Sequence, residues 1–261
     1  MHSGTALPTV DLMGLQVAAV STDALVQHVF ARLESGQGGW IVTANLDFLR
    51  KYHRDPEVKS LYDAADLRVA DGMPLVWASQ LQGQGLPERV AGSSLTDALV
   101  AEAARRGRSL YLLGGVDGAA RAAAEVWTAR HPQLRVVGWD EPWVSNPPTA
   151  GELDGIDRQV ERSAPDLMLG GFGTPKQEWV LRHLRHRFPS MWSVGIGGTF
   201  NFVSGRIGRA PEWMQQWGLE WVHRLAQEPR RLARRYLVED LPFSAELLGF
   251  AARRRFRRFS G

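Results

Sequence analysis

Along roughly the first 205 residues, short apolar runs alternate with longer segments in which apolar positions recur every three to four residues. The short runs have the length and composition of strands, and the longer segments have the period of helices. Residues 109–113 and 167–170 are almost continuously apolar and are followed or ended by glycines, as expected for strands covered on both faces. This alternation is typical of parallel βαβ units. It predicts an α/β fold with a mostly parallel sheet and helices on both faces.

The same pattern gives approximate bounds for each element. Predicted strands cover residues 15–20, 40–44, 67–70, 109–113, 134–137, 167–170 and 192–196. Predicted helices cover residues 22–35, 47–64 with a break near Pro56, 73–82, 93–106, 117–130, 151–163 and 175–187. Residues 139–155 contain three prolines and little periodicity, so we expect a long surface loop there. Loops of this length are often functional lids.

After about residue 205 the alternation stops and only helical patterns follow. We therefore divide the chain into an α/β body, residues 1–205, and a helical appendage, residues 206–261. One helix is predicted to start at Pro211, since proline favours the first helical position, and to run to Glu228. Its apolar stripe consists of Trp213, Trp217, Trp221 and Leu225. The stripe is expected either to pack on the body or to lie at a membrane interface, where tryptophan is favoured.

Composition excludes several classes of protein. The chain has 261 residues, of which 44% are hydrophobic, and this suffices for a sizeable core. Because there is no cysteine, the chain has no disulfides, cysteine-ligated zinc, iron–sulfur cluster or thiolate nucleophile. The sequence starts without a signal-peptide pattern, and no segment has the roughly 20 apolar residues of a spanning helix. We expect no membrane-spanning segment, although the chain could still lie on a membrane.

Positive charge is concentrated in the appendage. Residues 201–261 carry 12 basic and 6 acidic side chains, whereas residues 1–200 carry 19 and 22. Residues 253–258 include five arginines, interleaved with Phe256 and followed by Phe259. This cluster is either a solvated helix face or a surface for anionic lipid.

Candidate chemistry is expected beyond the carboxyl ends of the strands, where ligands bind in open parallel sheets. Asp71 directly follows the predicted strand 67–70 and precedes Gly72. A carboxylate at this edge is partly desolvated and could act as a general base, but aspartate is also a preferred N-cap for the next helix. Both interpretations stay open. Thr43 and Asn45, at the end of the strand 40–44, offer a hydroxyl and an amide to a sugar or base, or serve as loop and cap residues.

A glycine turn, Gly173-Thr-Pro-Lys-Gln-Glu, leads into the predicted helix 175–187. Thr174 as N-cap and Gln177 three residues later would form a capping box, which leaves Lys176 unexplained. Free amides at a helix start also suit a diphosphate. The turn matches neither a Walker loop nor a dinucleotide fingerprint, and the chain has no His-Glu-x-x-His or Asp-x-Asp metal pattern. A bound diphosphate would be neutralised by arginine, lysine and amides, so we expect no metal or other cofactor.

Several motifs occur in a fixed order along residues 10 to 240. They are Thr43-Ala-Asn45, Asp71-Gly-Met-Pro, Arg89-Val-Ala-Gly-Ser, Leu112-Leu-Gly-Gly, Gly171-Phe-Gly-Thr-Pro-Lys-Gln-Glu-x-Trp179, Gly197-Gly-Thr-Phe, Arg209-Ala-Pro-Glu-Trp and Gly218-Leu-Glu-Trp-x-x-Arg224-Leu-x-x-Glu-Pro-x-Arg231-x-x-Arg234. Together they closely resemble the WecG/TagA/CpsF family, which is glycosyltransferase family 26. The joint occurrence of so many motifs in order is highly specific.

The resemblance implies a Rossmann-like glycosyltransferase that moves a sugar, with inversion, from a UDP-sugar to a polyprenyl-diphosphate-linked sugar. The typical transfer is of N-acetylmannosamine to the 4-hydroxyl of lipid-linked N-acetylglucosamine, for teichoic acid, enterobacterial common antigen, capsule or exopolysaccharide. It implies a peripheral enzyme on the cytoplasmic face of the membrane, with Asp71 as catalytic base. The implied substrate-binding residues are Thr43, Asn45, Arg89, Gly92, Ser93, Lys176 and Gln177. The implied lipid-diphosphate or membrane residues are Arg224, Arg231 and Arg234, which share a face if their helix is unbroken by Pro229.

Two other functions compete with this one. The arginine-rich end could bind nucleic acid, but it has no recognised nucleic-acid fold and leaves the crevice motifs unexplained, so no nucleic-acid partner is predicted. The alternative function is a non-catalytic nucleotide-sugar-binding or scaffold protein, against which the intact Asp71 argues. The sequence leaves open the donor sugar, the polysaccharide and the oligomeric state, and the tryptophan stripe allows a homo-oligomer.

Overall fold

A computed structural model describes residues 7–259, without the side chains of Glu212, Gln216, Arg231, Arg258 and Phe259. The strands are β1 Thr9–Leu12, β2 Leu15–Ala18, β3 Gly39–Ala44, β4 Leu67–Ala70, β5 Ser109–Gly114, β6 Arg135–Asp140, β7 Leu167–Gly171 and β8 Trp192–Gly195. The helices are α1 Thr22–Glu34, α2 Leu46–Arg54, α3 Pro56–Asp63, α4 Met73–Leu81, α5 Gly92–Arg106, α6 Ala119–Arg130, α7 Ala150–Ser163, α8 Lys176–Arg187, α9 Thr199–Val203, α10 Glu212–Gln216, α11 Glu220–Gln227, α12 Pro229–Ala233, the π-helix Arg234–Asp240 and α13 Leu241–Phe259.

The central sheet of the described chain has six parallel strands in the order β4-β3-β8-β7-β5-β6. The predicted strand 15–20 is the shorter β2, which pairs antiparallel with β1 in a separate hairpin and not with the central sheet. From β3 the chain moves outward to β4, whereas it reaches β8, on the other side of β3, from β7. The carboxyl ends of β4, β3, β8 and β7 therefore border the crevice where parallel sheets bind ligands.

Helices cover both faces of the sheet, as the continuous apolar runs predict. Successive residues of a strand point to opposite faces, so Trp40 and Val42 enter one core cluster while Ile41 enters the other. All three are buried. The predicted α/β fold is confirmed.

The segment 139–155 is not one long loop. Strand β6 continues to Asp140. Helix α7 begins at Ala150, and Thr149 and Glu152 form a capping box at its N-terminus. The connection is ordered by its own contacts, since the Glu141 carboxylate accepts from the backbone nitrogens of Gly118 and Ala120 at 2.6 and 2.7 Å. The prolines obscured the Thr-x-x-Glu signal that starts α7.

The appendage also departs from the prediction. The single helix expected from Pro211 to Glu228 is split into α10 and α11 at Gly218, which has a left-handed φ of +71°. The tryptophans of the stripe are not buried: Trp213, Trp217 and Trp221 are 57%, 73% and 42% exposed. The break rotates α11 relative to α10, so four-residue spacing no longer defines one buried face.

Helix α13 is the part of the appendage that enters the core. Phe243, Leu247 and Ala251 are fully buried in the same cluster as Leu75 and Val76 of α4. Near its end, Arg254 is partly buried and bonded to Asp11 of β1, so the arginine cluster is not simply a solvated tail. Across residues 7–259, none of the helices combines the length and apolarity needed to cross a membrane.

Candidate active site

A cavity of about 360 Å³ lies at the carboxyl ends of the central strands, between the body and the appendage. Eight of the predicted site residues line it: Thr43, Asn45, Asp71, Arg89, Gly92, Ser93, Gln177 and Arg224. The structure therefore brings together residues spread over 180 positions of sequence. Lys176 and Arg234 are not among its lining residues, and the side chain of Arg231 lies outside the described part of the chain.

Asp71 sits directly after β4, where its backbone nitrogen bonds to the carbonyl of Ala44 at 2.7 Å. Burial raises the pKa of its carboxyl to about 6; Glu220 adds to the rise, while a hydrogen bond from the Gly92 backbone and the charges of Arg89 and Arg224 oppose it. The alternative role as N-cap is wrong. Gly72 precedes α4, and no described side chain caps that helix.

The N-terminus of α5 packs directly against Asp71. A Cβ atom at Gly92 would lie 3.2 Å from Asp71 Oδ2 and 3.3 Å from Thr43 Oγ1, so glycine allows this close approach. Thr43 is itself held by donating to the carbonyl of Gly195 at 3.1 Å. Together with Ser93, Gly92 turns the positive end of a fifteen-residue helix toward the cavity.

Asn45 serves as a helix cap as well as a cavity residue. Its Oδ1 accepts from the backbone nitrogen of Phe48 at 3.0 Å and so caps α2. Because Oδ1 is engaged, Nδ2 is the group left to donate to a ligand.

Gln177 is fixed in the cavity by contacts that a capping box does not explain. Its Oε1 accepts from the backbone nitrogen of Gly197 at 3.1 Å, and its Nε2 donates to Glu178 Oε1 at 2.7 Å. Thr174 donates to the same Glu178 oxygen at 3.1 Å. The predicted capping box is wrong because α8 begins at Lys176, which makes Gln177 its second residue and not its third.

Lys176 is placed differently from the prediction. Its Nζ lies 5.6 Å from the centre of the Trp143 ring, in the connection before α7, and not at the cavity wall. The helix phase explains this, since consecutive helical residues point in directions about 100° apart, and Gln177 takes the inward one.

Glu178 is a functional candidate that the sequence interpretation missed. It is fully buried, and burial raises the pKa of its carboxyl to about 7. Its Oε2 has no hydrogen-bond partner among the described residues. The signal was present, because a second carboxyl residue directly follows the predicted Gln177 in the turn motif.

The appendage closes the other side of the cavity. Glu220 of α11 bonds to Arg89 of the body at 3.3 Å, and both side chains are mostly buried. Arg224, one turn further along α11, lies with its guanidinium 5.4 Å from the centre of the Phe202 ring. The appendage thus supplies charged groups to the surroundings of Asp71.

Arg235, and not the neighbouring Arg234, lines the cavity. Arg234 is 86% exposed and pairs with Glu239, whereas Arg235 lines the cavity and pairs with Asp47 at 3.6 Å and Asp240 at 3.4 Å. The unbroken helix that a common face of Arg224, Arg231 and Arg234 requires is absent, because α11 ends before Pro229 and the chain forms a π-helix from Arg234. Both events change the angular spacing on which the prediction relied.

Among the residues whose side chains are described, no three histidine, aspartate or glutamate side chains are grouped to hold a metal ion. The groups of the lining that favour an anionic ligand are the N-terminus of α5 and the side chains of Arg89, Arg224 and Arg235. A partly buried carboxylate flanked by arginines at the carboxyl edge of a parallel sheet fits an α/β enzyme that acts on an anionic substrate.

Comparison with known proteins places the chain in a family. It belongs to the glycosyl transferase WecG/TagA/CpsF family, whose pattern it matches over residues 10–258. A relative from Bacillus spizizenii, described as N-acetylglucosaminyldiphosphoundecaprenol N-acetyl-beta-D-mannosaminyltransferase, is 28% identical over 202 residues. The match covers 77% of this chain and 76% of the relative. The family resemblance derived from the motifs is confirmed.

Proposed function

We propose that this protein transfers N-acetylmannosamine from a UDP-sugar to N-acetylglucosamine linked to a polyprenyl diphosphate, with inversion at the transferred sugar. The observation that carries the proposal is Asp71, a partly buried carboxylate with a raised pKa that lines a cavity beside Arg89 and Arg224. The described activity of the Bacillus spizizenii relative supports the choice of sugar and acceptor. The use of the product in a cell-surface polysaccharide is a prediction from the family resemblance.

In the proposed reaction Asp71 acts as general base. It takes the proton of the acceptor 4-hydroxyl as that oxygen forms a bond to C1 of the donor sugar. The bond from C1 to UDP breaks on the opposite face, which inverts the configuration. The pKa of about 6 leaves Asp71 ionised at neutral pH and basic enough to accept the proton.

The departing UDP carries the negative charge that develops, and fixed positive groups would stabilise it. The first turn of α5 offers the backbone amide of Ser93, and Arg89 and Arg224 offer guanidinium groups. These groups support a metal-independent reaction. Activity that survives a chelator would agree with this proposal, and loss of activity that Mg²⁺ restores would contradict it.

The acceptor requires that the protein approach a membrane surface, and we propose peripheral attachment on the cytoplasmic face. Exposed apolar side chains cluster in the appendage: Trp213, Trp217, Trp221, Val222, Leu237, Val238, Leu241 and Phe256. Arg230, Arg234, Arg253 and Arg257 are exposed in the same region. Aromatic and apolar groups beside arginines favour an anionic lipid interface.

The test is a transfer assay with a polyprenyl-diphosphate-N-acetylglucosamine analogue and a panel of UDP-sugars, with and without a chelator. We expect turnover with UDP-N-acetylmannosamine, a product of inverted configuration, and loss of at least 10³-fold in Asp71→Asn. Asp154→Asn changes an exposed aspartate of α7 away from the cavity and serves as control. UDP binding without turnover on any lipid-linked acceptor would favour the non-catalytic alternative.

A further inference from the structure

The cavity lining contains both charged and apolar side chains. Asp71, Arg89 and Arg224 are among the charged ones. Part of the wall is formed by the apolar side chains of Met73, Trp77, Trp221, Leu241 and Leu248. Trp77, Trp221 and Leu241 are also 45%, 42% and 60% exposed, so this wall continues to solvent and forms the mouth of the cavity.

This mouth is a groove built by packing between body and appendage. A Cβ atom at Gly218 would lie 2.4 Å from Met73 Cγ and 3.7 Å from Trp77 Cζ2, so the α10–α11 connection rests directly on α4. On its other side, the Trp221 ring packs edge-on against Tyr236 of the π-helix at 5.9 Å. The groove walls are therefore α4, α11 and the start of α13, and their apolar side chains border the open part of the cavity.

We propose that this groove, lined by Trp77, Trp221 and Leu241, binds the first isoprene units of the acceptor's own polyprenyl tail. The inference rests on the proposed function, because it takes the lipid-linked acceptor as given. Both kinds of lining belong to one cavity, so a diphosphate bound at Arg224 and Arg235 would bring its tail within reach of the apolar side chains. An apolar chain attached to a dianionic group matches the charged and the apolar lining of this cavity.

A general membrane contact makes a different prediction from a tail-binding groove. If these side chains only touched lipid, tail length would not matter for soluble acceptors in the absence of a membrane. If the groove binds the tail, the affinity for a soluble acceptor rises with each isoprene unit that the groove covers, because each buried methylene contributes about 0.8 kcal/mol.

The experiment measures KM in buffer without membrane or detergent for N-acetylglucosamine diphosphate esters with methyl, one-, two- and three-isoprene tails, all below their aggregation concentrations. In the unmodified protein we expect KM to fall by at least tenfold from the methyl to the two-isoprene ester. Trp77→Ala should reduce this ratio to threefold or less. Trp139→Ala removes a tryptophan of similar exposure, 46%, from β6, outside the cavity lining, and should keep the full ratio.

The same KM for every tail in the unmodified protein, or an unchanged ratio in Trp77→Ala, would overturn the groove. Calorimetric binding of geranyl diphosphate against methyl diphosphate keeps the test independent of turnover. Tighter binding of geranyl diphosphate that depends on Trp77, in a protein inactive on every acceptor, would support the groove and refute the proposed reaction. Equal binding of both probes would refute the groove even if the reaction stands.

Discussion

At Asp71, the burial that favours the proposed role as base lowers the stability of the folded protein at neutral pH. Burial raises the pKa of its carboxyl from 3.8 to about 6, so the folded protein binds this proton more tightly than the unfolded chain does. Protonation of Asp71 therefore stabilises the folded state, and this contribution is fully present below pH 3.8 and is lost as the pH rises through 6. At neutral pH the ionised carboxylate therefore destabilises the folded state.

From this we expect Asp71→Asn to abolish transfer while raising the free energy of unfolding at pH 8 by up to about 3 kcal/mol. The gain should disappear below pH 4, where the native aspartate is also neutral. Urea unfolding at pH 4 and pH 8 measures it. Destabilisation at both values would mean that Asp71 has a structural role instead.

The kinetics of the unmodified protein should follow the same ionisation. We expect kcat/KM to fall about tenfold per pH unit below pH 6, because only the ionised carboxylate accepts the proton of the acceptor. A pH profile of kcat/KM with saturating partner substrate checks this. Asp154→Asn, remote from the cavity, should show the same acid limb, and a flat profile down to pH 4.5 would contradict Asp71 as base.

Glu178 is proposed to position the side chain of Gln177. Its Oε1 accepts from Gln177, whose own oxygen accepts from Gly197, so the carboxyl fixes which end of the Gln177 amide faces the turn after β8. We expect Glu178→Ala to lower kcat/KM at least tenfold, and Glu178→Gln to recover most of it because a carbonyl oxygen still accepts. Steady-state kinetics with a folded-state check by circular dichroism decides this. An equal loss of kcat/KM in both variants would contradict this positioning role.

At the scale of elements, the cavity residues that could be predicted from the sequence are those that directly follow the end of a strand. Asp71 was found because it follows an apolar strand directly, and Asn45 because cap residues follow strand ends. Arg235 was missed and Lys176 was misplaced because side-chain direction depends on helix phase. For Arg235 this phase is set by the break at Gly218, which lies against α4, and by the π-helix at Arg234, which pairs with α2. Contacts between elements this far apart in the sequence leave no local pattern.

The start of α5 offers a test of close packing at the element scale. We expect Gly92→Ala to lower transfer at least tenfold, because the added methyl group lies 3.2 Å from Asp71 Oδ2 and displaces it. Gly151→Ala is the matched control near the start of α7, where a Cβ would meet nothing within 4 Å. The control should keep full activity and gain about 0.5–1 kcal/mol of stability. Full activity in Gly92→Ala would show that transfer does not depend on the exact position of the Asp71 carboxylate.

At the scale of the whole molecule, the proposed division at residue 205 does not separate two cores. Helix α13 buries Phe243 and Leu247 in the cluster that also holds α4 residues of the body, while α11 brings Glu220 to Arg89. The sequence suggested an appendage because its composition changes to arginine and tryptophan. Composition reports the exposed face of these helices, whereas their buried face contributes to the same core as the body.

This shared core predicts that appendage and body unfold together. We expect Leu247→Ala to lower the free energy of unfolding by about 2–5 kcal/mol, through lost burial and the cavity it leaves. Leu237→Ala, at a leucine that is 50% exposed on the π-helix, should change it by less than about 0.5 kcal/mol. Urea unfolding followed both by far-ultraviolet circular dichroism and by tryptophan fluorescence should give one coincident transition. Seven of the ten tryptophans lie in the body and three in the appendage, so the fluorescence reports on both parts. Two separated transitions, with only the weaker one shifted by Leu247→Ala, would instead mean that the C-terminal helices are an independent unit docked on a complete core.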